Sequence, residues 1–206
     1  MSVLSPQKKL LRIGLTLAGL VVGLLFITRL MPGGTGPRAD GRAVLERQWD
    51  TTAVLGLTLL SPGRFRAITV PVPPEIRASL DDIKSWGRNA GETEMRVSRM
   101  DFREGVPMDL DKFALGAFDA IRTNRAVSGL TYSHARVQVS GLPAIRTTTQ
   151  FQVEGRPAHG EILSVLRGRT LWQVQVLGPE DEAPGIAKRV MESVRLQPPS
   201  EDEKER

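Results

Sequence analysis

The chain has 206 residues, 40% of them apolar and 25% charged, which is globular composition with room for one domain. It contains no cysteine, which excludes disulfides, thiolate chemistry, cysteine zinc sites and lipidation at an N-terminal cysteine. The net charge is +5, but Lys8, Lys9, Arg12 and Arg29 flank one apolar segment, and without them 24 basic residues face 23 acidic ones. No basic run interleaved with aromatics occurs, so nucleic acid is not an expected partner.

Residues 13–28 are sixteen in a row without a charge. A bilayer needs about 20. Adding Leu10, Leu11, Leu30 and Met31, with Arg12 and Arg29 snorkelling, predicts a transmembrane helix over 10–31, about 33 Å long at about 1.5 Å per residue. A core helix would not be apolar all round at the start of a chain. A cleaved signal peptide would want a shorter apolar core and a small-residue cleavage site, whereas Arg29 follows the run directly. Lys8, Lys9 and Arg12 before the span outweigh Arg29 and Arg38 after it, so residues 1–9 are expected in the cytoplasm and the domain outside it, in the periplasm of a bacterial inner-membrane protein. Gly19 and Gly23 form a G-x-x-x-G step, a candidate seam for a homodimer through the membrane helix.

Residues 32–41 carry four Gly and two Pro and read as a flexible linker. They also match a dinucleotide-binding fingerprint. That match is rejected, because the fingerprint requires a strand before it and a helix after it. The folded unit is expected over 42–196, with a disordered tail at 197–206.

Within that unit, residues 54–60 and 65–70 are apolar, β-branched-rich runs. The intervening Ser61-Pro62-Gly63-Arg64 predicts a hairpin. Residues 73–89 read as a short, broken helix. A strand is expected over 93–103, where Met95 and Val97 have one parity and Met100 and Phe102 the other, so a bulge near Ser98-Arg99 is predicted. Asp109 caps a helix over 110–124 whose apolar face includes Phe113, Ala114 and Ile121, expected to pack on Trp172, Val174 and Val176. Strands over 131–139, 144–153, 161–167 and 170–177 follow, joined by short turns at Ser140-Gly141, 154–157 and Gly168-Arg169, which suits antiparallel neighbours. A last helix over 182–193 would face the core with Ile186 and Val190, followed by Val194.

A hairpin, a helix, a run of antiparallel strands and a closing helix make an α+β fold, an antiparallel sheet layered with helices and preceded by one membrane helix. The order resembles the PsbP-like family, which includes bacterial envelope proteins of the DcrB type. The resemblance rests on the early strand pair around 57–65, on Ser140-Gly141-Leu142-Pro143-Ala144 opening a strand, on Gly168-Arg169-Thr170-Leu171-Trp172-Gln173-Val174, and on the closing residues 187–194. It implies a non-enzymatic accessory or interaction module and assigns no binding residue.

Chemical motifs are scarce. His134 and His159 lack metal-ligand spacing, and no Walker loop, G-x-S-x-G or H-E-x-x-H occurs. Ser5 to Lys8 fits S-x-x-K, but on a tail ahead of the apolar segment. No catalytic residue, metal or cofactor is therefore expected. The favoured reading is a membrane-tethered, extracytoplasmic interaction module with an envelope protein partner; its rival is a small-molecule carrier or an enzyme. Alternating residues nominate an interaction face of Tyr132, His134, Arg136, Arg146, Gln150, Gln173 and Gln175 on one side of the sheet. The plainer reading of such a face is a solvated antiparallel sheet.

Overall fold

Two-residue turns in left-handed backbone set most of the architecture. In the computed structural model, which describes residues 41–122 and 125–198, both residues have positive φ at Leu55-Gly56, Ser140-Gly141 and Glu154-Gly155. That is the geometry whose twist matches antiparallel strands. The elements in order are α1 (Gly41–Glu46), β1 (Asp50–Val54), β2 (Leu57–Ser61), β3 (Arg66–Ile68), α2 (Pro74–Arg77), β4 (Leu80–Ala90), β5 (Thr93–Phe102), α3 (Leu110–Arg122), β6 (Val127–Val139), β7 (Leu142–Val153), β8 (Arg156–Arg167), β9 (Thr170–Pro179), α4 (Ala183–Ser193) and β10 (Arg195–Leu196). They build a three-stranded sheet, β1-β2-β10, and a seven-stranded sheet, β3-β4-β5-β9-β8-β7-β6, antiparallel throughout. The fold is α+β, as the sequence indicates. The expected membrane helix with Gly19 and Gly23, the linker up to residue 40 and the tail from 199 lie outside the described residues. Among the described residues no helix is long and apolar enough to cross a membrane.

The early hairpin turns at Leu55-Gly56, where Val54 pairs with Leu57, and not at Pro62-Gly63. Pro62-Gly63 instead carries the chain out of the small sheet into the large one, where β3 pairs with β4. Of the broken helix expected over 73–89, only Pro74–Arg77 is helical, and Leu80–Ala90 is a strand. Its polar residues are accommodated because β4 lies near the rim of the sheet, where Asp81, Lys84, Trp86 and Asn89 reach solvent. The bulge expected at Ser98-Arg99 is absent: pairing there is continuous, Ser98 with Gln173 and Arg99 with Trp172. The parity slip has another cause, since both faces of β5 are buried. Met95 and Val97 enter one core, and Met100 and Phe102 enter another on the opposite side.

These cores define the layers. On the Trp172 face, Val97, Leu163, Val165, Val174 and Val176 meet α4 and the small sheet in one continuous cluster. Ile186, Ala187 and Val190 of α4 are fully buried there. α1 docks on α4, where Gly185 faces Leu45 and Arg189 both stacks 4.6 Å from the Trp49 ring and donates to the Leu45 carbonyl at 3.2 Å. On the opposite face lies α3. Asp109 caps it, accepting from Lys112 N at 3.2 Å, and this bond holds the Asp109 carboxyl below its usual range. Phe113 and Ile121 are buried as expected, but against Met100, Phe102 and Leu171 and against Phe151 and Leu177 respectively. Trp172, Val174 and Val176 point the other way, so the expected packing of α3 on them is corrected.

Candidate functional site

The hairpin register decides which nominated residues share a face. A two-residue turn pairs Val139 with Leu142 and Val153 with Arg156, so cross-strand partners have opposite parity. One row across the sheet is Arg136, Ile145, Ser164, Gln173, Ser98 and Ser85; the next is His134, Thr147, Ile162, Gln175 and Arg96. Tyr132, His134, Arg136, Gln173 and Gln175 therefore stand on the α3 side. Arg146 and Gln150 stand on the other. The single polar face expected from the sequence is divided between the two sides.

It is divided again by burial. Gln173 and Gln175 are 1% and 0% exposed, in the part of the sheet that α3 covers. Gln173 Nε2 donates to Ser164 Oγ at 3.2 Å, and Ser85 and Ser98 share a hydrogen bond of 2.8 Å. Gln173 Oε1 and both amide atoms of Gln175 have no hydrogen-bond partner among the described residues. This is a polar seam inside the molecule, not a docking surface.

Tyr132, His134 and Arg136 remain accessible along β6. The Tyr132 ring lies 3.9 Å from that of Phe118 and 4.7 Å from the His134 imidazole. His134 Nδ1 is 2.8 Å from Thr147 Oγ1, and Arg136 grips both carboxylate oxygens of Asp111 at 2.8 and 2.7 Å. Burial holds the His134 imidazole below its ordinary pKa, against the opposing pull of Asp111. β6 is the outermost strand of the large sheet among the described residues, thirteen residues long and exposed over most of them.

On the other side, Arg146 is held by Glu161, Nε to Oε2 at 2.7 Å, and His159 Nε2 lies 3.3 Å from Glu161 Oε1. Burial works to raise the Glu161 pKa, but the bonds from His159 and Arg146 together outweigh it and leave the carboxyl below its usual range. Glu182 shows the reverse: burial raises its pKa more than its bond from Thr93 N, at 3.2 Å, lowers it. Arg146 is thus committed to an internal ion pair. No group of three or more potential metal ligands occurs among the described residues.

A further region was not apparent in the sequence. Trp86, an exposed aromatic on β4, forms a shared wall of two open clefts. The larger, about 470 Å³, is lined by residues 50–53 of β1 with Arg64 and Phe65. The smaller, about 300 Å³, is lined by Ile68, Val70, Arg77 and Lys84 among others. Arg88, two residues along the same face, covers Gly63, which has no side chain to obstruct it, and donates to the Pro62 carbonyl at 3.0 Å. Burial, and secondly the nearby Arg47 charge, hold the Arg88 guanidinium below its ordinary pKa. The signal that could have found this region is a tryptophan amid charged residues, Lys84 to Arg88, once that stretch is read as a strand.

No family model matches the chain, and no curated protein does. Among solved structures, cyanobacterial PsbP from Synechocystis sp. PCC 6803 is similar with a TM-score of 0.45 at 12% identity, covering 80% of this chain and 96% of that one. LpqN of Mycobacterium tuberculosis, involved in cell envelope biogenesis, is similar with a TM-score of 0.41 at 14% identity, covering 81% and 88%. A Pseudomonas aeruginosa protein of unknown function, described as a putative regulator, is similar with a TM-score of 0.44 at 17% identity, covering 66% and 100%. A PsbP protein is thus among the structures this chain is similar to. At these scores the likeness carries no argument about function.

Proposed function

We propose that this protein is a membrane-tethered accessory module of the bacterial envelope that binds a protein partner and performs no chemistry of its own. A single span over 10–31 holds the domain at the inner membrane on the periplasmic side, with the N-terminus in the cytoplasm. The DcrB-type resemblance belongs to this reading. The observation that supports partner binding is the β6 edge. It is a long strand with no described neighbour on its outer side, and it carries Tyr132, His134 and Arg136. An open edge presents unpaired N–H and C=O groups, and proteins normally shorten or cover such edges. A partner strand would satisfy those groups, while side chains at alternate positions supply selectivity.

The test uses the full chain in intact bacterial cells, with a photo-crosslinking residue at Ser133, or at Lys188 on the exposed side of α4 as control. The expected result is a discrete adduct from Ser133 and none from Lys188, together with loss of the domain when protease is added to spheroplasts. Equal adducts from both positions would remove the β6 assignment. A domain protected until the membrane is lysed would remove the periplasmic one.

A further inference from the structure

We propose that the Trp86 face docks on an anionic lipid surface, so that the domain lies against the bilayer instead of swinging freely from its tether. The inference rests on the tethered reading above and adds an orientation to it.

Three observations meet at this face. The first is chemical. Trp86 is 37% exposed and lines the larger cleft, with its register partner Ala67 exposed beside it on the same face. An indole with an apolar body and one polar N–H suits the headgroup level of a membrane.

The second is charge. Lys84 is exposed and Arg88 half-buried on the same face of β4 as the indole, Arg64 lines the larger cleft with it, and the exposed Arg47 lies near Arg88. The carboxylates in the same region include Glu46, exposed next to Arg47 in the chain, Asp50, which lines the larger cleft, and Asp82, which is held by Lys84 at 2.9 Å. The arginines at 47, 64 and 88 form no ion pair among the described residues. Flexible stems let such cations reach phosphates while the ring settles among them.

The third is position. The larger cleft is lined by β1, which follows α1 directly, and the apolar segment ends only ten residues before α1. Ten residues of chain reach at most about 35 Å, and tethering gives an effective concentration of order millimolar. A weak patch is enough under those conditions. β3 and β4 also lie at the opposite end of the large sheet from β6. At about 4.8 Å per strand, the five spacings from β4 leave the open β6 edge about 24 Å along the sheet from Trp86 and clear of the docked residues. An acidic peptide is the less favoured occupant, because the membrane is already at hand.

The experiment reconstitutes the full chain in nanodiscs of brominated phosphatidylcholine, alone or mixed with phosphatidylglycerol. It reads the tryptophan emission lost on adding Trp86→Phe, which isolates Trp86 from the buried Trp49 and Trp172. In the anionic discs the Trp86 emission is expected to be quenched. Raising the salt, or combining Arg47→Glu with Arg64→Glu, should restore it without moving the melting temperature. In phosphatidylcholine alone it should stay unquenched. Chain that is incorporated in discs but shows Trp86 equally bright in both compositions, or equally quenched in both, overturns the docking. Chain that enters neither kind of disc overturns the tether instead. Docking is then read on brominated vesicles containing phosphatidylglycerol, where quenching supports it and bright Trp86 overturns it.

Discussion

The two faces of the seven-stranded sheet are closed in different ways. Behind Trp172 one apolar cluster runs without a break from α1 through α4 and the small sheet to Leu196. Behind Gln173 there are two small clusters, around Phe113 and around Ile121, with Ser85, Ser98, Ser164, Gln173 and Gln175 buried between them. Burial of apolar area contributes about 25 cal/mol per Å², whereas a buried amide without a partner costs about 1–3 kcal/mol. The first face is therefore where the fold gains its stability. The second holds α3 at its two ends, and its middle is the region expected to open first in local fluctuations.

The largest effects should separate the two faces. Trp172→Ala removes a large side chain from the continuous core and also the 2.7 Å bond from its indole N–H to the Leu55 carbonyl. It should cost about 5 kcal/mol, at the top of the range for aromatic truncations, while Phe113→Ala should cost about 3. Thermal melts followed by circular dichroism, with hydrogen exchange to locate the loss, check this. A Phe113 loss equal to that of Trp172 and spread over the whole sheet would erase the distinction.

Next in size is Gln175→Leu, which replaces an amide without partners by an apolar side chain of similar volume. It should raise the melting temperature, by about 1–3 kcal/mol of relieved desolvation. A fall would assign a bonding role to the Gln175 amide and recast the seam as a satisfied network.

The smallest effects belong to two carboxylates on the Trp172 side, and they have opposite signs. The folded pKa of Glu161 lies below its ordinary 4.5, so its contribution is present above that pH and is lost as acid titrates through the folded value. That of Glu182 lies above 4.5, so its contribution is full below that pH and is lost as pH rises through the folded value. At neutral pH Glu161→Gln should lower the melting temperature and Glu182→Gln should raise it. Both differences should narrow in acid. Melting curves across pH with the same sign for both variants would contradict this account of the two environments.

Much of the fold was legible where local chemistry dictates it. Ser140-Gly141 and Glu154-Gly155 announce their hairpins, Asp109 announces α3, and Ile186 and Val190 mark the buried side of α4. The first hairpin was not legible because an apolar residue, Leu55, takes the left-handed position before Gly56 and reads as part of a continuous strand, while Pro62-Gly63 looks like a turn and serves as a passage between sheets. β4 was obscured because a rim strand tolerates charges that resemble a solvated helix. For the nominated face, Tyr132, His134 and Arg136 were grouped correctly. The separation of Arg146 and Gln150 from them was available in principle, since a two-residue turn reverses parity from one strand to the next. The burial of Gln173 and Gln175 was not available, because a glutamine in a strand reads as solvent-facing unless the helix above it is known.

The order of strands also bears on how the chain reaches this structure. β6 to β9 form a meander in which each strand pairs with the next across a short turn, and contacts so local form fast. β5 pairs instead with β9, Glu94 with Leu177, across α3 and the whole meander. The β4–β5 hairpin therefore leaves the ribosome well before its partner exists, with a β5 edge that stays open until β9 arrives. Closing that one seam joins two locally formed halves into a single sheet, and it is expected to be the slow, aggregation-exposed step of folding.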